Sequence, residues 1–373
     1  MSITVNNALR LRMKRGGVYY WMVAKELGMT EGAFTRMLKS HSLRKGLIIM
    51  KRNTNIWING IMGVIAGDAL GCPVQFRSRE EVADHPVTEM RGYGTFNLPE
   101  GSWTDDSSLT LALLESIRRV KGIDLDDIMG NFMKWMYDGE FTPYSYSYDI
   151  GNGTMDAINR YRRTRNAKKC GGERDWNNGN GSLMRILPAC IYCSEMLRRG
   201  KFTESDAVQT IHAVGGLTHA HIRAKIACGL YFFMADSILT GEGSLHSRLQ
   251  AGLDKGFAFY DSYLTDKDNL RHYHRLQDLD KFAAVPAERI KSSGYVVDTL
   301  EAAVWSLITT ESFTANGFEQ ALLKAVNLGD DADTVGAVTG GLAGLYYGYD
   351  QIPAAWLDAI KRREWIEGLC VMS

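Results

Sequence analysis

The sequence Asn327-Leu-Gly-Asp-Asp-Ala-Asp-Thr334 places three carboxylates and a hydroxyl directly after a glycine. The residues from Val335 to Tyr349 are almost all small or apolar. Such a run is typical of a buried helix that packs closely against its neighbours, so the acidic turn is expected at the edge of the core. Carboxylates gathered there repel one another unless a cation or a proton neutralises them. Oxygen ligands with no Cys or His nearby favour a hard ion such as Mg²⁺, Mn²⁺ or Ca²⁺.

A second stretch, Gly101-Ser-Trp-Thr-Asp-Asp-Ser-Ser108, has the same ingredients ahead of a predicted helix from Leu109 to Val120. Ser and Asp are good helix N-caps, so capping alone is the other interpretation of each stretch. Two such stretches far apart in sequence fit a shared metal site better than two unrelated caps. Their combined ligands would suit two ions.

The rest of the chain predicts an all-α protein, because no stretch shows sustained alternation or a hairpin signal. The composition, 45% hydrophobic and 23% charged over 373 residues, is ordinary for a soluble globular protein. No apolar run is expected to reach the roughly 18 residues of a membrane span, and there is no secretory apolar core. No membrane partner and a cytoplasmic location are therefore expected. Cys190-Ile-Tyr-Cys193 has redox spacing, but its predicted helical setting favours a packing role.

Residues 1–52 are expected to form a separate basic unit. They are rich in Arg and Lys and contain only Glu26 and Glu31 as acidic residues, although the whole chain has a net charge of zero. Two predicted helices joined at Gly28 resemble a helix-turn-helix. Binding to nucleic acid, docking to a protein, and neither of these roles remain open as interpretations.

Four ordered motifs point to a family: Gly63-Val-Ile-Ala-Gly-Asp-Ala-Leu-Gly71, the two acidic stretches, and Gly179-Asn-Gly-Ser-Leu-Met-Arg185. Together they resemble the ADP-ribosylglycohydrolases, the family that includes the enzyme that reactivates dinitrogenase reductase. The resemblance covers about residues 56–373, which are expected to form one catalytic domain.

The resemblance implies hydrolysis of the glycosidic bond between ADP-ribose and an acceptor, with arginine on a protein as the preferred acceptor. An ADP-ribosylated protein or an ADP-ribose-bearing small molecule would be the partner. Two Mg²⁺ ions, for which Mn²⁺ could substitute, would orient the ribose hydroxyls and a water molecule. The implied metal ligands are Thr104, Asp105, Asp106, Asp331, Asp333 and Thr334.

One position departs from the family pattern. Members often carry Glu where this chain has Gln75, and Gln cannot transfer a proton at neutral pH. The catalytic role is therefore assigned to Asp106, with Asp105 next. Asp68 is expected to support the metal site or to cap a neighbouring helix.

Glycine-rich turns ahead of predicted helices are assigned to the substrate, because backbone amides at a helix N-terminus favour phosphate groups. Family positions imply that they hold the ribose, diphosphate and adenosine. The implied substrate-binding residues are Gly151, Asn152, Asn180, Gly181, Ser182, His219, Ser292, Ser293, Gly294 and Tyr295.

Two functions of other classes stay open at this stage. The first is a DNA-binding regulator that senses ADP-ribose or a nucleotide without turnover. The second is an immunity protein that neutralises an ADP-ribosyltransferase toxin, either by docking through residues 1–52 or by reversing the modification.

Overall fold

The computed structural model describes residues 55–310 and 316–371. The chain divides into two units between Thr54 and Asn55, so the predicted helix-turn-helix-like segment of residues 1–52 lies outside the described part. The described ranges are helical, with only two isolated β-bridges, Gly172–His219 and Gly179–Tyr295. The predicted all-α class is confirmed.

The helices of the described part follow one another with short connections. In chain order they are α1 (Ile56–Gly71), α2 (Arg79–Asp84), α3 (Asp105–Val120), α4 (Leu125–Asp138), α5 (Asn152–Thr164), α6 (Leu187–Arg198), α7 (Glu204–Gly215), α8 (Ile222–Thr240), α9 (Leu245–Tyr263), α10 (Asp268–Arg271), α11 (Leu279–Ala283), α12 (Val296–Ile308), α13 (Gly317–Val326), α14 (Ala332–Tyr347), α15 (Ala354–Ala359) and α16 (Arg363–Leu369). Single 3₁₀ turns lie at Cys72–Val74, Ala167–Lys169, Asp175–Asn177, His274–Gln277, Ala287–Arg289 and Tyr349–Gln351.

The centre of the fold is the pair α1 and α14, whose backbones touch along a row of glycines. A methyl group on Gly63 would lie 2.1 Å from the carbonyl oxygen of Gly340, and one on Gly67 would lie 2.0 Å from that of Gly336. Only glycine permits this separation, because any Cβ would overlap the opposite carbonyl. The close packing fixes the ends of both helices, where the acidic residues lie.

The first helix also corrects an expectation from the sequence. The stretch Ile56–Val74 is long and apolar enough to span a membrane, with 19 residues and a mean hydropathy of 1.3. The expectation that no apolar run approaches this length is therefore wrong. In the described part of the chain, however, 89% of the stretch is buried inside the protein. Its apolar side chains belong to the core, because α1 packs against α14, α3 and α6.

Both acidic turns extend further into helices than the sequence pattern predicts. The helix predicted from Leu109 begins at Asp105, and the one predicted from Val335 begins at Ala332. Carboxylates are tolerated in a first helical turn because they interact favourably with the exposed amides and the helix dipole. The helix that follows the Gly179–Arg185 motif begins at Leu187, with Pro188 in its first turn.

Candidate active site

The two acidic turns meet at the N-terminal ends of α3 and α14. The hydroxyl of Thr104 lies 3.1 Å from Asp106 Oδ2 and 3.4 Å from Asp333 Oδ2. The hydroxyl of Thr334 lies 3.5 Å from the same Asp106 oxygen. Residues more than 200 positions apart therefore share one buried cluster, as the two sequence stretches suggested.

Asp68, near the end of α1, joins this cluster and caps α3 from outside. Its carboxylate accepts hydrogen bonds from the backbone amides of Thr104 and Ser107, each at 3.0 Å, and from the Ser107 hydroxyl at 2.5 Å. The hydroxyl of Thr104 also lies 3.0 Å from Asp68 Oδ1. This side chain therefore links the central helix pair to the first acidic turn.

The capping interpretation of the acidic stretches is not supported by the geometry. Thr104 is the N-cap of α3 and Asp331 is the N-cap of α14, but neither side chain caps its own helix. The Thr104 hydroxyl is directed at carboxylates. Asp331 Oδ2 accepts a 2.6 Å hydrogen bond from the side-chain amide of Asn180. Asp330, in the same turn, is exposed and lies outside the cluster.

The carboxylates of the cluster have no basic partner among the described residues. Burial raises the pKa of Asp105, Asp106 and Asp333 well above the usual value, and the neighbouring carboxylates raise it further. Burial also raises the pKa of Asp68 to about 7. No Lys, Arg or His of the described residues forms an ion pair with these four carboxylates. Such an arrangement favours a bound cation.

Two residues that the sequence analysis did not assign to the site line it as well. The side chain of Gln75 hydrogen-bonds the carboxylates of Asp149 and Asp331, so its amide group is the donor. Burial raises the pKa of Asp149 to about 6. Asp149 has a positive φ of 55°, which a non-glycine residue adopts at some cost in strain. The one signal in the sequence was its position ahead of Ile-Gly-Asn-Gly-Thr154, where a helix begins.

One side of the site consists of two glycine-containing loops, residues 178–182 and 292–296, that pair with each other, and we call these loops the glycine wall. The backbone amide of Asn180 donates to Gly294 O at 3.0 Å, and the backbone amide of Val296 donates to Asn178 O at 3.0 Å. The Asp331 amide donates to Ser292 O at 3.0 Å, so this wall adjoins the acidic cluster. The N-terminal ends of α5, α12 and α14 lie beside these loops, and such ends favour anionic groups.

His219 packs against this wall. Its Nδ1 lies 2.9 Å from the Thr218 hydroxyl, and its ring faces the backbones of Gly153 and Gly181. Burial lowers the pKa of His219 to about 3, so the ring is neutral. Gly151 and Asn152, at the start of α5, are exposed.

The remaining predicted substrate residues turn partly away from the cluster. Ser182 is fully buried and its hydroxyl accepts a contact from the Cys228 thiol. The Ser293 hydroxyl donates to Asp298 at 2.6 Å, and the half-buried Tyr295 ring lies under Arg223. These contacts fix the shape of the loops.

The donor set fits hard divalent cations. All candidate ligands are oxygen atoms, and Asp106 Oδ1 is buried without a hydrogen-bond partner, as are Asp149 Oδ2 and Gln75 Oε1. No three His, Cys, Asp or Glu side chains in residues 55–310 and 316–371 are already arranged around a common metal position. Threonine hydroxyls bridge the carboxylates instead, and a cation would replace some of these bridges.

Metal-free protein is expected to become more stable as the pH falls from 8 to 6.5. The pKa of Asp68 is about 7 in the folded protein against 3.8 unfolded, so only the folded state gains a proton in this window. The gain should be on the order of 1 kcal/mol for each such carboxylate. Two buried histidines oppose this gain within the same window, because His212 and His219 have pKa values of about 3 in the folded protein against 6.5 unfolded. The unfolded state therefore gains protons as the pH falls towards 6.5, and the opposing effect grows below that pH.

Chemical denaturation in chelator at pH 8, 7.25 and 6.5 measures this slope. Added Mg²⁺ should flatten it, because a cation replaces the proton as the neutralising charge. The histidines contribute equally with and without the cation, so a pH dependence that added Mg²⁺ leaves unchanged would contradict the assignment of uncompensated charge to this cluster.

The fold and the site thus define an all-α protein with a carboxylate-rich centre beside anion-binding loops. The sequence profile of the ADP-ribosylglycohydrolase family matches residues 57–372. An ADP-ribosylarginine hydrolase from Serratia proteamaculans is 31% identical over 83% of this chain and 76% of its own. The ADP-ribosyl-[dinitrogen reductase] glycohydrolase of Rhodospirillum rubrum is 29% identical over 82% of this chain and 90% of its own.

A solved structure described as an ADP-ribosylglycohydrolase-related protein complex superposes with a TM-score of 0.66. It is 30% identical and covers 86% of this chain and 97% of its own. The chain belongs to the ADP-ribosylglycohydrolase family. It is a hydrolase of the glycosidic bond of ADP-ribose.

Proposed function

We propose that the protein releases ADP-ribose from arginine side chains of proteins, in a reaction that requires two Mg²⁺ ions. The convergence of the two acidic turns is the observation that carries this proposal. The names of the relatives from Serratia proteamaculans and Rhodospirillum rubrum support arginine and a modified protein as the substrate class.

The metal ligands in this proposal come from both turns. Bound there, Mg²⁺ would supply positive charge that orients the ribose hydroxyls and a water molecule. The residues that would hold it are Thr104, Asp105, Asp106, Asp331, Asp333 and Thr334. Asp68 would not be a ligand, since its oxygens are occupied by the amides and hydroxyls at the start of α3.

Hydrolysis requires a water molecule to attack the anomeric carbon of the ribose while the bond to the guanidino nitrogen breaks. One carboxylate must take the proton from the water, and the leaving guanidino group must keep or regain a proton. Gln75 cannot take a proton from the water. We therefore assign the proton transfer to Asp106, whose Oδ1 has no hydrogen-bond partner. Asp105 is next in this order, and the structure adds Asp149, which Gln75 holds at the cluster.

The two loops of the glycine wall would hold the rest of ADP-ribose. The three helix N-termini beside these loops, those of α5, α12 and α14, would offer amide donors to a diphosphate. His219 is neutral and buried beneath them, so in this proposal it supports the wall without transferring protons.

Purified full-length protein is expected to release free ADP-ribose from an ADP-ribosylated arginine substrate when Mg²⁺ is present, and to lose this activity in excess chelator. Liquid chromatography of the released nucleotide measures the reaction, and addition of Mg²⁺ after the chelator should restore it. Release that persists unchanged in chelator would refute the metal requirement. Binding of ADP-ribose without any release would instead favour the regulator that senses a nucleotide.

A further inference from the structure

A chain of aromatic rings in contact with one another borders the acidic cluster and takes no part in the site described above. We call it the aromatic strip. Neighbouring ring centroids are 6.4, 5.5, 5.9 and 6.1 Å apart. In spatial order its members are Phe76, Phe96, Tyr148, Tyr146 and Tyr144.

The strip lies against the acidic cluster through both sequence neighbours and hydrogen bonds. Phe76 follows Gln75, and Tyr148 precedes Asp149. The Tyr148 hydroxyl donates to the carbonyl of Trp103, immediately before Thr104. The hydroxyls of Tyr144 and Ser102 are 2.6 Å apart. The strip therefore runs along the chain that delivers the first acidic turn.

The aromatic strip and the glycine wall adjoin the cluster through different residues. Asn180 contacts Asp331 from the glycine wall, and Gln75 bridges Asp331 to Asp149. Asp149 directly follows Tyr148, a member of the strip, in the sequence. One wall offers backbone amides, which suit a diphosphate, and the other offers ring faces, which do not.

Two rings of the strip are exposed to solvent. Phe76 is 68% exposed and Tyr146 is 50% exposed. Phe76 also has a positive φ of 65°, which is strained for a bulky residue. The strain is maintained by reciprocal backbone hydrogen bonds, in which the Phe76 amide donates to Asp330 O and the Asp330 amide donates to Arg77 O. Such strain is typical of residues held in place for function.

The charge around the strip selects a cation as the occupant. Aromatic faces attract guanidinium groups, and the carboxylate of Asp149, which is not among the proposed metal ligands, adds to that attraction. Elsewhere in the described ranges arginines stack on aromatic rings, as Arg362 does on Trp365 at 3.8 Å. Among the described residues, no Arg or Lys stacks on a ring of the strip.

We propose that the aromatic strip is the acceptor subsite, where Phe76 and Tyr146 stack on the guanidinium group and on the adjoining peptide of an ADP-ribosylated arginine. This inference rests on the proposed function and names the surface that distinguishes an arginine acceptor from a neutral one. Because the strip contacts only the acceptor, it should contribute to the affinity for the modified peptide and not to that for ADP-ribose.

The test measures dissociation constants in the full-length chain carrying Asp106→Asn, so that the substrate is not consumed. The probes are a peptide with ADP-ribose on arginine, the same peptide with ADP-ribose on serine, and free ADP-ribose. Combining Phe76→Ala with Tyr146→Ala should weaken binding of the arginine-linked peptide by about 5–30-fold. The dissociation constant for free ADP-ribose should stay within about twofold.

Two variants serve as controls. Phe76→Tyr with Tyr146→Phe keeps both rings and should restore the affinity for the arginine-linked peptide. Tyr263→Ala removes an aromatic side chain that is 43% exposed and stacks on Phe259, away from the strip, and should leave all three constants unchanged.

Several outcomes would overturn the proposal. Unchanged binding of the arginine-linked peptide, or equal weakening of all three probes, would remove the strip from the acceptor subsite. A changed oligomeric state or melting temperature with unchanged affinities would assign the rings to a self-contact. If protein without Asp106→Asn releases no ADP-ribose from either peptide, the proposed function fails, whereas the binding comparison still decides the role of the strip.

Discussion

Asparagine in place of Asp106 is expected to lower the rate of ADP-ribose release by about a thousandfold or more. The substitution keeps the size of the side chain and removes the charge. Asp106 Oδ2 lies near the hydroxyls of Thr104 and Thr334, and Oδ1 is buried without a partner, so the substitution removes the carboxylate that contacts both acidic turns. Single-turnover release of ADP-ribose at saturating Mg²⁺ measures the effect.

The same substitution is expected to stabilise the metal-free protein. Burial and the neighbouring carboxylates Asp68, Asp331 and Asp149 raise the pKa of Asp106, which shows that its charged form is disfavoured in the fold. Removing the charge relieves that repulsion, so the melting temperature in chelator should rise while activity is lost. Added Mg²⁺ should then raise the melting temperature less than it does for the unsubstituted chain. Lower stability of the variant would mean that activity is lost through misfolding.

Asp330→Asn is the matched control. Asp330 belongs to the same acidic turn, but it is exposed and its φ is 54°, a conformation that asparagine adopts readily. The same change from carboxylate to amide, one residue from a proposed ligand, should leave release within about twofold. A large loss there would show that the turn, and not the Asp106 carboxylate, determines activity.

The sequence predicts the location of the charge well, because in both acidic turns the carboxylates directly precede a run of residues that forms a helix. Carboxylates that precede a run such as Val335–Tyr349 must lie at the edge of a core, whatever the topology. The role of Asp68 is harder to predict from the sequence. A single acid in the apolar stretch Ile56–Gly71 can either form an ion pair or contact a turn that is distant in the sequence. Only the fold shows that it holds the amides of Thr104 and Ser107.

Asp149 and Gln75 show the limit of sequence reasoning more clearly. Asp149 stands alone between an aromatic stretch and a glycine turn, so no neighbouring acid marks it. This chain has Gln75 where family members often carry Glu, so the sequence predicts that a negative charge is lost at this position. In the fold its amide holds the carboxylates of Asp149 and Asp331, so a charged group remains at that position. Long-range contacts decide both cases, and composition and spacing do not contain them.

Alanine in place of Gly67 is expected to destabilise the protein by about 3 kcal/mol or more, an effect at or beyond the upper end of those seen for overpacked cores. Its methyl group would lie 2.0 Å from Gly336 O and 2.3 Å from the carbonyl carbon of that residue. Both atoms belong to a helix backbone, so no side-chain rotation can relieve the overlap. Urea denaturation and the soluble yield measure the loss.

Gly130→Ala provides the contrast, because Gly130 lies inside α4 and a methyl group there would meet nothing within 4 Å. Alanine should stabilise that helix by about 0.5–1 kcal/mol, so the same substitution has opposite signs at the two positions. The difference also bears on activity, since Asp68 follows Gly67 on α1 and Asp333 lies in the first turn of α14. Any folded Gly67→Ala protein should therefore bind Mg²⁺ more weakly, because the two helices that carry the cluster are forced apart. A Gly67→Ala protein with normal stability and normal Mg²⁺ affinity would show that backbone contact between α1 and α14 is not what holds the carboxylates together.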